Sequence, residues 1–473
     1  MTYTTRLIRG LGIGGALVLA ACGDFTVPYS NAPTENQLTE NPTRAILARA
    51  ATGLFAGVLN DVGGEIQQWG LYGRELYNLL GNDPRETGEE LRGPQDPGGR
   101  AGGVWAAKYA HIRSLNAYLR AIENTAELSA QEKLAARGFA RTLKAHALHR
   151  LALRTGALGI PIDVDREITA DPAPFVSQTE AFDYVVALLD SAATDLAGGG
   201  DAFPFTFGPG FTGFTTPATF VKFTRGLEAR VEVNRALLAG CGAPCFTAAL
   251  TALNQSFLTT TGLPANLGTG VYYGYDGAAG EPTNPITENL TQQRYYVHPS
   301  VRALVQHKGN GDDDQRWTDK FRAGTAKTLN NLTGEFKPIL YNTNTATASA
   351  SNLGADIPLL KNEELILLRA EANLGLGNKA AAIADIDLIR TSSGGLAASG
   401  LTAASSTDAI TTELLYNRLM SLVFEQGVRW LDARKYGRLA QLPLDRAGDA
   451  VFTNMLVPVN ECDARGLTVP CTP

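Results

Sequence analysis

This 473-residue chain, with a formal charge of −6, has no long run of basic residues. That disfavours nucleic acid as a partner, because neutralising phosphates takes clustered Lys and Arg. It also has no nucleophile elbow, no HExxH pair and, past its first residues, no phosphate-cradling glycine loop. The letters Gly10-x-Gly12-x-x-Gly15 match a dinucleotide fingerprint but follow no strand, and they fall in a leader segment. Histidine is scarce, with 5 in all. His146 and His149 are three apart on one helical face with no third ligand in register, so a structural role outweighs a metal site. Asn310 to Asp314 carries three successive Asp residues without EF-hand spacing and reads as a solvated loop. Nothing singles out one carboxylate as acid and another as base, so two-carboxylate glycoside hydrolysis has no support. The sequence thus offers no catalytic residues, metal or cofactor.

Cysteine is also sparse, and its placement is informative. Arg6 and Arg9 precede an apolar run from Leu11 to Leu19, and Leu19-Ala20-Ala21 lead into Cys22. This reads as a secretory signal over 1–21. Its end is similar to a bacterial lipobox, in which the cysteine becomes the lipidated first residue. Residues 22–40 are polar and aperiodic and read as a tether. The remainder, 41–473, is read as a single domain with an irregular insert at about 246–352. Four cysteines remain in it: Cys241, Cys245, Cys462 and Cys471. In an exported chain an even number suggests two disulfides, and pairing within each close couple needs the least loop closure. A four-cysteine zinc site is the rival, although the spacings C-x3-C and C-x8-C fit it poorly.

Helix signals recur along the chain. Asn41-Pro42 opens a helix to about Leu59. Gly64 to Leu80 reads as helical and Asn82 to Gly102 as an exposed loop. Trp105, Tyr109, Ile112, Leu115, Leu119 and Ile122 are spaced by three or four. Ser129 with Glu132, and Ser177 with Glu180, form capping boxes, and Thr216-Pro217 opens a helix to Leu238. The stretch from Asp356 to Leu442 organises the rest. Two helical runs meet at Gly375 and Gly377, with alanines that allow close approach, as in a tetratricopeptide hairpin. A third run follows from Asp408 to about Gln426. From Phe246 to Asn352 the periodicity fades, with short strands expected near Phe336 to Tyr341. The fold class is therefore mostly α, a helix-pair scaffold with a loop-rich portion.

The stretches "IPLLKNEELILLRAEANLGLGNKAAAIADIDLIR" and "NRLMSLVFEQGVRWLDARKYGRL" resemble the C-terminal signature of the SusD/RagB family. Similar patches lie in "NPTRAILARAATGLFAGV", in Trp105-x3-Tyr109-x2-Ile112-x3-Asn116, in "GALGIPIDVD" and in "FTTPATFVKFTRGLEARVEVNRALL". The family usually shows Phe-Glu-Gly-x-Arg, whereas Gln426 is an extra residue here, and Ser421 stands where a Glu is usual. The resemblance implies a lipid-anchored outer-membrane protein at the cell surface. With no catalytic motif beside it, the resemblance implies a non-enzyme that would bind a nutrient, glycan or peptide, and act as lid on a SusC-like TonB-dependent transporter. A hydrolase displayed as a lipoprotein and a periplasmic repeat scaffold are the alternatives.

Sugars and peptides present apolar faces that stack on aromatic rings and polar edges that take hydrogen bonds. Candidate ligand residues are therefore Trp69, Tyr72, Asn82, Asp83 and Arg85 about the first long loop. Tyr272, Tyr273 and Tyr275 in "GVYYGYDG" and Trp317 join them. Three tyrosines in four positions exceed what one strand face can bury, so the two segments are expected to flank a groove. Replacing Tyr273 and Tyr275 is expected to weaken binding without loss of stability. Glu425, Arg429, Asp432 and Arg434 could form a charged ligand site, but an internal ion-pair network holding the last helix outweighs it.

Overall fold

The computed structural model describes residues 35–167, 169–342, 350–468 and 471. The signal segment, Cys22, most of the tether and part of the 343–354 loop lie outside these residues.

Helix α1 (Arg44–Leu59) starts two residues beyond the expected proline, because the Thr43 side chain accepts the Ile46 N–H and caps it. Asn41 turns left-handed instead, and its side chain accepts the Ala126 N–H. Helix α2 (Val62–Tyr72) stops short of the expected Leu80. Arg74 is left-handed, and the chain re-enters as strand β1 (Leu76–Asn78), which pairs with Tyr295–Val297. Helices α3 (Ala101–Asn124) and α4 (Ala130–Thr155) follow, the second opened by the Ser129/Glu132 capping box. A two-residue pairing of β2 (Ile160–Pro161) with β3 (Phe175–Val176) leads to α5 (Gln178–Ala197), with its own capping box, and to α6 (Pro217–Leu238), capped by Thr216. Helix α7 (Ala243–Gln255) occupies a stretch expected to be irregular.

The insert then supplies β4 (Gly270–Tyr273), β5 (Tyr295–Val297) and a hairpin of β6 (Phe321–Leu329) and β7 (Leu332–Pro338). Asn330 and Asn331, both left-handed, make its two-residue turn, the geometry that matches strand twist. Strand β8 (Ile357–Lys361) returns to pair with β4. Helices α8 (Asn362–Gly375) and α9 (Lys379–Ser392) form the expected hairpin, with Gly377 left-handed at the bend. Helix α10 (Thr407–Leu422) ends four residues before the expected Gln426, and α11 (Val428–Lys435) begins anew. The extra residue of the "FEQGVR" motif is absorbed in this break, where Phe424 and Gly427 both take positive φ.

Helices α3 to α7 pack each on the next, α7 rests on α8, and α8 holds both α9 and α10. One hydrophobic core runs through most of this stack. A second fills the α8–α10 bundle with Ile366, Ile383, Ile386, Ile389, Ile410 and Leu414. Burying each such side chain is worth about 1.5–3 kcal/mol. Helix α11 packs on α2 and α6, so the last helix of the stack touches the second.

Candidate functional site

Most of the candidate aromatic residues are committed to packing. Trp69 is fully buried, with its ring 5.8 Å from that of Trp430 and the Arg150 guanidinium 3.9 Å above it. Tyr72 packs between Trp430 and Phe452 at 5.4 and 5.3 Å. Trp317 lies on Phe321 and Phe336 beneath the Arg302 guanidinium. The hydroxyl of buried Tyr273 meets His146 Nε2 at 2.9 Å, and Tyr275 is buried as well. Tyr272 alone is half-buried, and its hydroxyl donates to the Gly268 carbonyl. Trp69, Tyr72, Tyr273, Tyr275 and Trp317 are thus core residues, which corrects the expectation of a surface role. The density argument for the tyrosines fails because β4 is enclosed: β8 and the Gly210 carbonyl take its edges, and α4 meets Tyr273 through His146.

The polar candidates differ. Asn82 and Arg85 are exposed and Asp83 is half-buried, at a corner braced by charge. Asp83 accepts from Arg85 at 2.8 Å and Arg100 at 3.3 Å, and Arg100 also holds Glu86 at 2.6 Å and Glu90 at 3.4 Å. Burial pushes the Glu90 carboxyl up to about 7, against the pull of Arg100. Among the described residues no hydrogen bond, ion pair or ring contact joins 82–102 to 271–276, and with Tyr273 and Tyr275 buried the second segment does not offer the expected aromatic groove wall. The loop runs the other way: the Pro97 carbonyl accepts from Val459, which opens a short helix, Val459–Ala464.

That helix borders a cleft of about 720 Å³ between α3, β2 and residues 164–167 and 169–173. Tyr109 forms one wall and donates its hydroxyl to the Pro161 carbonyl at 2.8 Å. Arg120 pairs with Asp165, and Arg465 with Glu461 at 3.2 Å. Arg113 lines the same cleft with no hydrogen-bond or ion-pair partner among the described residues. Asn116 is 3% exposed, and its amide nitrogen has no partner among the described residues. Such a lining of forked donors, carboxylates and one ring suits a polyhydroxylated molecule. Sequence reasoning noted Tyr109 and Asn116 only for their spacing and missed Arg113, Arg120, Asp165 and Arg465, which distant segments bring together.

Glu425, Asp432 and Arg434 of the charged C-terminal motif are internal framework. Glu425 accepts from Lys320 and Lys361 at 3.0 and 2.8 Å, and Asp432 from Arg418 and Lys435 at 2.8 and 2.9 Å. Arg434 donates to the Leu153 carbonyl and lies 4.5 Å above the buried Trp430 ring. His149 bonds Asn234 at 3.1 Å, and burial holds it and His146 well below the usual imidazole range. The three aspartates diverge: Asp312 faces Asn310, Asp313 pairs with Arg302, and fully buried Asp314 caps the next helix and holds Arg316. Asp314 is therefore no solvated loop residue. Cys241 is bonded to Cys245 and Cys462 to Cys471.

The architecture defines a class: a stack of paired helices with short sheets and loops grouped in one insert. Among solved structures the chain matches SusD-type proteins. A SusD superfamily protein from Bacteroides vulgatus superposes with a TM-score of 0.66 at 14% identity, over 91% of this chain and 98% of that one. Surface glycan-binding protein A from Bacteroides fluxus gives 0.64 at 16% identity, over 90% and 98%. A SusD-like carbohydrate-binding protein from Bacteroides fragilis gives 0.61 at 15% identity, over 85% and 87%. No family model matches the sequence, and no curated protein matches it. The chain has the SusD-like fold.

Proposed function

We propose that the protein is a SusD-type nutrient-binding lipoprotein that captures a glycan at the outer-membrane surface and serves as lid to a SusC-like TonB-dependent transporter. The observation that carries this reading is the SusD-like fold over 91% of the chain, shared with proteins described as glycan- or carbohydrate-binding. The mechanism is binding and gating without chemistry. The lipobox-like end at Cys22 supports attachment through acyl chains, since more than one chain is needed for a stable anchor. The ligand site is the 720 Å³ cleft, with Tyr109 as platform and Arg113 and Asn116 as donors. The helix stack supplies the rigid face for the barrel.

The test is purified protein against polysaccharide and peptide libraries, beside an Arg113→Ala/Asn116→Ala variant. Saturable glycan binding without product, weakened in the variant, is the expected result. Turnover would establish the hydrolase instead, and peptide binding alone would reassign the nutrient. Protease resistance on intact cells would place the chain in the periplasm.

A further inference from the structure

A second cavity, of about 300 Å³, opens between α10, α11 and the segments 304–306 and 438–442. It shares no lining residue with the cleft described above, and its size is that of a small-ligand site. Leu415, Tyr416, Leu419, Ala433 and Leu442 make its walls, and Leu304 at the rim is 47% exposed, one of few large apolar side chains left in water.

The charges around it are unequal. Of the two carboxylates that line it, Asp432 is neutralised by Arg418 and Lys435, and Glu413 by Arg390. The lining Arg438 is engaged by Asp408. Arg429 has no carboxylate on its guanidinium. Its Nη1 donates to the Arg74 carbonyl at 2.7 Å and to Ser300 Oγ at 2.8 Å, while Nε and Nη2 have no partner among the described residues. Glu75 and Asp445 both act on it through charge, but neither forms an ion pair with the guanidinium, and Glu75 accepts the Arg429 backbone N–H instead. A guanidinium presents five donors in a fork that fits a carboxylate, and a cation kept away from water gains most from such a partner.

We infer that this cavity binds a small carboxylate with an apolar body, the body against Leu415 and Leu419 and the carboxylate on Arg429. This site is separate from the glycan cleft and regulates or supplements it; a peptide ending in an apolar residue offers the same chemistry as a free acid.

The experiment is calorimetric titration of the full mature protein with phenylacetate and, separately, with phenylethanol, which differs in lacking the charge. Phenylacetate should bind roughly tenfold or more tightly, the scale of a charge-assisted bond. Leu415→Trp fills the cavity and should abolish binding of both while leaving glycan binding unchanged. Arg429→Lys should shrink the preference for the acid. If Leu415→Trp lowers the melting temperature, Leu304→Glu at the rim replaces it and should weaken phenylacetate selectively. Equal affinity for acid and alcohol, binding that survives the filled cavity, or no binding of either overturns the inference. A tripeptide ending in leucine, run against its C-terminal amide, separates the peptide source from the free acid.

Discussion

At the scale of single residues, burial decides which side chains act. Tyr273 and Tyr275 were candidates by composition, yet each sits in the core. Changing either to Ala should destabilise the protein by roughly 3–5 kcal/mol, as for other buried rings; urea denaturation of each variant measures it. Glu75 is a second case. It is fully buried and accepts the N–H groups of Phe424 and Arg429, and burial raises its carboxyl to about 7. The native state therefore keeps this proton in a range where the unfolded chain has released it. Its contribution is complete below the unfolded value and fades as pH climbs to about 7. A glutamine cannot titrate but loses one acceptor. The destabilisation by Glu75→Gln should thus be larger at about pH 5 than at about pH 8, by roughly 1–3 kcal/mol; thermal melts of both proteins across that range read it.

At the scale of elements, what the sequence disclosed was local. The boxes at Ser129 and Ser177 announced α4 and α5 because cap and third residue lie within one turn. The α8–α9 hairpin was legible from its two glycines and apolar spacing. Strand β6 was not, since most of its side chains stay partly exposed and alternation gives little contrast. Neither was the cleft, whose Arg113, Asp165 and Arg465 are set side by side by packing alone. The break between α10 and α11 was hidden by an unbroken helical pattern, and it depends on Gly427. That residue is left-handed, and a Cβ there would press into Trp69. Gly427→Ala should cost roughly 2–4 kcal/mol through strain and overpacking, read as a lowered urea midpoint with an unchanged slope. The two disulfides close short loops, so replacing Cys241 and Cys245 by Ser should cost about 2 kcal/mol and the Cys462–Cys471 pair slightly more. Non-reduced peptide mapping should recover both bonded pairs, and four free thiols would contradict the structure.

At the scale of the molecule, the scaffold differs from a simple repeat array. Stacked helix pairs touch only neighbours and can melt piecemeal. Here α11 returns to α2. Trp69 packs on Trp430, Glu75 binds the α10–α11 break, and the buried Arg74 guanidinium donates to the carbonyls of Leu71, Leu91, Pro443 and Ala450. Unfolding should accordingly be one transition, with tryptophan fluorescence and far-ultraviolet dichroism coincident in urea; separated midpoints would show the stack opening in parts. The same closure works as a clasp that only a whole chain can fasten. A copy ending near Leu442 would leave Arg74 buried without two of its four acceptors, a penalty far beyond what a missing terminal repeat costs an open array. Completion of the polypeptide becomes a condition for folding at all, so an interrupted product stays loose and open to proteolysis.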